Sequence, residues 1–137
     1  MILPLERFIL LLIGLSLVLL PVVGCGSIND LDKYTKAVSP LEQKFKDADT
    51  LGQSTARIAL SPIVSNMQGI KQQTQDLKVP KKLQEAHGEL LDYMDYTING
   101  YLAFMDDEDI VAKYWLEFAK LTYDIYQTKL VQVKKGG

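Results

Sequence analysis

From Leu31 onward the apolar residues recur at alternating steps of three and four, stretch after stretch, and that rhythm admits helices and little else. Such steps return a side chain to one face of a 3.6-residue helix, whereas a strand repeats every second residue. The first stretch runs Leu31, Tyr34, Val38, Leu41, Phe45, Ala48, and the second Leu60, Ile63, Met67, Ile70, Thr74, Leu77. The third, Leu83, His87, Leu90, Met94, Ile98, Tyr101, Met105, is widened by Ala86, Leu91 and Leu102. The fourth spans Glu108 to Val133, with Val111, Tyr114, Trp115, Phe118, Leu121 and Ile125 on one face. Period-two alternation is absent from the sequence; Lys129 to Val133 comes nearest and reads as helix.

Prolines and acids mark the breaks. Asn29 or Asp30 can cap the first helix. Ser39-Pro40-Leu41-Glu42 has the form of a capping box with proline at the first helical position. Either a helix begins at Pro40 or one helix from Asn29 is kinked there, and the unbroken seam through Val38 and Leu41 favours the kink. Ser61-Pro62 supplies a cap and a first-turn proline for the second helix, which ends at Val79-Pro80 because a residue before proline is pushed out of the helical region. Pro80 then opens the third helix. Only Asp106-Asp107 separates the third helix from the fourth, so these two turn back on each other as an antiparallel pair. Gly88 and Gly100 each weaken the third helix by about 1 kcal/mol, which implies close packing at both.

These stretches predict an all-α, antiparallel up-and-down bundle of three to four helices over residues 31–133. About two dozen large apolar side chains at roughly 1.5–3 kcal/mol each offset much of the ordering entropy. Gly26 to Asp30 reads as a short flexible tether and Lys134 to Gly137 as a disordered tail.

Ahead of the bundle, Phe8 to Val23 carry no charge and are almost entirely Leu, Ile, Val and Phe, and the run ends in Gly24-Cys25, the single cysteine. The segment Val22-Val23-Gly24-Cys25 resembles the lipobox of bacterial lipoproteins: a branched aliphatic residue, a tolerant position, a small residue, then cysteine. The resemblance implies that residues 1–24 are a signal peptide, that a diacylglyceryl group is attached to Cys25, and that the new amino terminus is acylated. Residues 25–30 are then the lipidated cysteine and its short tether. The other reading is an uncleaved membrane helix with a chance cysteine at its outer end; the run is a little short for that, since a span takes roughly 20 apolar residues. Both readings put the bundle on the extracytoplasmic side of a cell membrane. A second likeness is to uncharacterised bacterial lipoprotein families that share a Pro-x-x-Leu-x-x-x-His-x-x-Leu-Leu segment, here Pro80, Leu83, His87, Leu90 and Leu91. It implies an architecture and no catalytic residues.

Composition bounds the function. Fifteen basic and seventeen acidic residues leave a formal charge of −2, and removing residues 1–24 takes away one of each (Arg7 and Glu6). A balance this close to neutral provides no basic field for nucleic acid. With Cys25 taken by lipid, no thiol remains for disulfides or thiolate metal sites.

Candidate chemistry is sparse. His87 is the only histidine and lies on the apolar stripe. It is either a partly buried histidine bonded to a carbonyl or a tyrosine hydroxyl, or a haem or metal ligand opposite Met67, Met94 or Met105. Asp106-Asp107-Glu108-Asp109 suits a helix start, where free N–H groups favour negative charge, rather than a calcium loop, whose ligands alternate around a glycine. Gln84, not a glutamate, stands three residues before His87, which removes the di-metal carboxylate class. Phosphate-cradling glycine loops and Gly-x-Ser-x-Gly are also missing from the sequence. Six tyrosines and the tryptophan fall on the last two helices, more than one narrow seam can hold. His87, Tyr93, Tyr96, Tyr101, Trp115, Tyr123 and Tyr126 are therefore the candidate ligand or partner contacts, the alternative being a second packing face. The expectation is a lipid-anchored, non-enzymatic module without a cofactor that binds a protein or envelope partner and no nucleic acid. The alternative expectation is a small-ligand or haem/metal carrier with a pocket between helices near His87.

Overall fold

The computed structural model describes residues 26–136. The apolar run, the Val22–Cys25 motif and the lipidation expected at Cys25 lie outside the described residues. Four α-helices follow one another: α1 Gly26–Gln53, α2 Ser61–Gln75, α3 Gln84–Met105 and α4 Asp109–Lys135, with 3-10 turns at Arg57–Ala59 and Lys81–Leu83. They form an all-α antiparallel bundle, and among the described residues there is no strand. None of these helices is long and apolar enough to cross a membrane.

Helix α1 runs unbroken through Pro40, so the capping box starts no new helix. Proline removes the N–H that would bond the Lys36 carbonyl, a loss that is tolerable only where water can replace it. Pro40 and Lys36 are both exposed, while Tyr34, Val38, Phe45 and Ala48 on the opposite face are buried. The stretch expected as a tether is already the first turn of α1, and the expected tail is helical to Lys135.

Helix α2 starts at Ser61 with proline in its first turn but without a side-chain cap, and buries Val64, Met67, Ile70 and Thr74. It stops at Gln75, short of the expected Val79. Asp76 N–H makes the last α-helical bond, to the Gln72 carbonyl (3.0 Å), and Leu77 N–H tightens the turn beyond it onto the Thr74 carbonyl (3.2 Å). Leu77 and Val79 then pack against the core from outside the helix. Pro80 flanks the 3-10 turn that leads into α3, and Leu83 in that turn is fully buried.

Helix α3 is the centre of the bundle. Leu90, Met94, Ile98 and Tyr101 are buried along the expected stripe, and Ala86, Tyr93, Thr97, Gly100 and Ala103 are buried beside it. A side chain at Gly100 would meet Leu116 at 2.7 Å and the Ala112 carbonyl at 3.4 Å, so this glycine does permit the close approach of α4. Gly88 faces open space and has no such role.

The α3–α4 turn is a Schellman motif: Glu108 N–H bonds the Ala103 carbonyl (2.9 Å) and Asp107 N–H the Phe104 carbonyl (3.3 Å). Asp107 takes the left-handed position, φ 64°, that glycine usually fills. Arg57 holds this acidic turn from outside, donating to Asp107 and to Asp109 Oδ1 (2.5 Å) while its guanidinium lies 4.1 Å from the Phe104 ring centre.

Helix α4 departs from expectation. Its expected inner face points outward: Tyr114 is 60% exposed, Phe118 53% and Leu121 56%, with Val111 and Ile125 also exposed and only Trp115 half-covered. Ala112, Ala119, Thr122 and Tyr126 are buried instead. α4 has two faces able to leave water and packs chiefly on α3, reaching α1 through Tyr123 and Tyr126. At Gly100 the backbone of Ala112 and the side chain of Leu116 come close, and packing density decides the contact.

Candidate functional site

Two carboxylates on α1, Glu42 and Asp49, stand two turns apart on one face and gather the tyrosines of α3 and α4. Glu42, with a side chain 14% exposed, accepts from Lys46 Nζ at 2.9 Å, from the Tyr123 hydroxyl, and from the Tyr126 hydroxyl at 3.4 Å. The Tyr123 hydroxyl in turn accepts from Lys46 Nζ (2.5 Å) and Gln127 Nε2 (2.8 Å). Seven residues on, Asp49 accepts from the Tyr101 hydroxyl at its backbone carbonyl (2.8 Å) and at Oδ1 (2.7 Å). Gly52 makes that bond possible, because a side chain there would stand 2.7 Å from the Tyr101 ring.

Between the two carboxylates the rings form a chain. Phe45 meets Tyr93 edge-on at 5.5 Å, Tyr93 meets Tyr123 at 4.9 Å, and Tyr123 meets Tyr126 at 5.8 Å. Burial raises the pKa of each of these phenols and that of Tyr34, the last to about 12, with Glu42 adding to the rise at all four. They are neutral donors at physiological pH. This seam ties α1 to the α3–α4 hairpin by tyrosine hydroxyls on carboxylates, and its chemistry is that of a latch.

His87 lies at one end of the seam, 6% exposed. Its Nδ1 is 3.1 Å from the Tyr34 hydroxyl, and the two rings meet edge-on at 5.7 Å. Nε2 is buried with no hydrogen-bond partner of acceptable geometry. Burial pushes the imidazole pKa below its ordinary 6.5, and the Thr74 backbone offsets part of that shift. Among the described residues, no three or more of His, Cys, Asp and Glu are grouped so as to hold a metal ion.

The seven candidate contacts thus fall into two groups. His87, Tyr93, Tyr101 and Tyr126 are buried, and Tyr123 half-buried, along the inner seam. Tyr96 and Trp115 stack on each other at the surface, centroids 5.5 Å apart and planes 26° apart, with Phe118 6.3 Å from Tyr96. That outer stack borders the exposed face of α4: Ile110, Val111, Tyr114, Phe118, Leu121 and Ile125. Sequence reasoning missed Glu42 and Asp49 as acceptors, although their spacing of seven beside Phe45 was a usable signal. It also missed the outer face of α4, for which the row of small residues at Ala112 and Ala119 was the available warning.

A cleft of about 510 Å³ opens elsewhere, between the end of α1 and the α3–α4 pair. Gly52, Gly100, Tyr101, Phe104 and Leu116 line it, and Lys113, Glu117 and Lys120 stand at its α4 side; His87 does not line it.

The fold and site define an all-α bundle with an internal tyrosine latch and an outward apolar helix face. Comparison with protein families, with curated proteins and with solved structures finds no match to this chain.

Proposed function

We propose that the chain is a lipid-anchored, non-enzymatic lipoprotein whose bundle serves as an interaction module on the extracytoplasmic face of a cell membrane. One observation carries the module half of this reading: six apolar residues on the outward side of α4 lie open to solvent, with Ile110 74% exposed. Contiguous apolar area of this kind on a small protein marks a contact surface. The anchor half is supported by the apolar run and the Val22–Cys25 motif. Two acyl chains at about 0.8 kcal/mol per buried CH₂ suffice for stable attachment without a spanning helix.

Intact-mass spectrometry of protein extracted from its own membranes tests the anchor. The expected species starts at Cys25 with diacylglyceryl and N-acyl mass added, and the substitution Cys25→Ser abolishes it. A chain that still begins at Met1 with a free thiol overturns the reading. Photo-crosslinking from Tyr114 and Leu121 in intact cells tests the module; these positions should capture a protein, and crosslinks to neither would refute an interaction role for this face.

A further inference from the structure

We infer that the outward face of α4 binds a second copy of the same chain, the two α4 helices lying antiparallel across a two-fold axis near residues 118 and 119. The inference rests on the interaction reading above and names the occupant of that face. The apolar residues Val111, Tyr114, Phe118, Leu121 and Ile125 are centred on position 118. On the next flank of the helix, about a third of a turn round on the side of the cleft, runs a row of four exposed charges at spacings of four, three and four: Lys113, Glu117, Lys120 and Asp124. The order is plus, minus, plus, minus, centred midway between 118 and 119, half a residue from the centre of the apolar row.

That order is antisymmetric. Reversed about its centre it reads minus, plus, minus, plus, so an antiparallel pair sets Lys113 against the partner's Asp124 and Glu117 against the partner's Lys120, twice each. A parallel pair in register sets like against like throughout. The same symmetry puts Val111 opposite the partner's Ile125 and Phe118 against the partner's Phe118. An isologous two-fold contact must have a self-complementary surface, and this face has one in both its apolar and its charged rows. Within its own chain the row is nearly idle: Lys113 reaches Glu117 only at 4.0 Å.

A single helix face buries less than the roughly 800 Å² per partner of a stable complex, so the pairing is weak between free molecules. Anchoring both copies in one membrane plane raises their effective concentration without any new contact.

Disulfide trapping on the full chain in its own membranes tests this. The axis brings the two Phe118→Cys thiols of a dimer within bonding reach, so mild oxidation should yield a covalent dimer that the parent chain does not form. The Ile125→Cys thiols stand about 20 Å apart along the antiparallel pair and should stay unlinked, while mixing Val111→Cys with Ile125→Cys chains should give a crossed dimer. Lys113→Asp should reduce trapping at position 118 by about threefold to tenfold, as two exposed ion pairs turn repulsive, and Lys113→Asp with Asp124→Lys should restore it. These positions are exposed, so the substitutions leave the core intact.

Absence of trapping at 118, or self-trapping at 125, overturns the inference. In that event, crosslinks from Leu121 to another protein would leave the interaction module standing with a different partner. An environment-sensitive dye at 118 that turns blue on vesicles would mean that lipid covers the face, and silence in both assays would remove the module with the dimer.

Discussion

Lowering the pH from about 7.5 to 5.5 should destabilise the bundle through His87, by at most about 1.4 kcal/mol. The ring is buried, its pKa is held below 6.5 by desolvation, and its neighbours Tyr34 and Thr74 are uncharged. In the unfolded chain the same imidazole titrates near 6.5. Between that value and the lower folded one the unfolded state binds the extra proton, so stability is full above pH 7 and falls with acid. The upper limit, reached by an imidazole that protonates only when unfolded, is about 1.4 kcal/mol at pH 5.5, roughly a 5 °C drop in Tm for a domain this size. Asp92 works the other way, since burial, with Glu89 and Asp95 nearby, holds its carboxyl above the ordinary value. Subtracting the His87→Leu variant removes that contribution and those of all other groups. Urea unfolding at both pH values, read by circular dichroism, is the measurement. The parent should lose more than His87→Leu over this window, by up to about 1.4 kcal/mol, and equal losses in the two chains would refute a histidine buried in its neutral form.

Three further outcomes follow from the same geometry. Gly69→Ala and Gly88→Ala meet open space and should each stabilise by about 0.5–1 kcal/mol, whereas Gly52→Ala should destabilise by about 1–2 kcal/mol by driving Tyr101 off Asp49; thermal melts would rank the three. Glu42→Leu leaves Tyr123 and Tyr126 without their acceptor and should cost about 2–3 kcal/mol in urea unfolding, and Tyr126→Phe less than half of that; a Glu42→Leu chain as stable as the parent would mean that the latch adds no net stability. Asp107→Gly relieves the left-handed backbone and should exceed Asp107→Ala in stability by about 1 kcal/mol, both having lost the exposed pair with Arg57; equality in melting temperature would count against the Schellman geometry.

Much of the architecture was legible before any coordinates. The three-four stepping of Tyr34, Val38, Phe45 and Ala48, or of Leu90, Met94, Ile98 and Tyr101, is a statement about one helix face, and those faces are buried as their spacing requires. The antiparallel α3–α4 hairpin followed from chain length alone, because two or three residues between helices leave no other course. Helix ends were less legible. Ser39-Pro40 has the local signature of a start, yet α1 continues through it because the seam on its buried face outweighs one missing hydrogen bond on its wet face.

The sequence by itself determined that the described part of this chain is helical, that it makes three or four helices, and which face three of them bury, since periodicity is a property of a segment. Only the tertiary structure decided which of the two apolar faces of α4 turns inward, because that choice depends on what α3 presents opposite it. Gly100 accepts Leu116 and the Ala112 backbone at close range, and the larger aromatics of the other face are left outside. It also decided that Glu42 and Asp49 receive the tyrosines, since a hydrogen bond between residues 52 or 81 positions apart has no trace in local pattern.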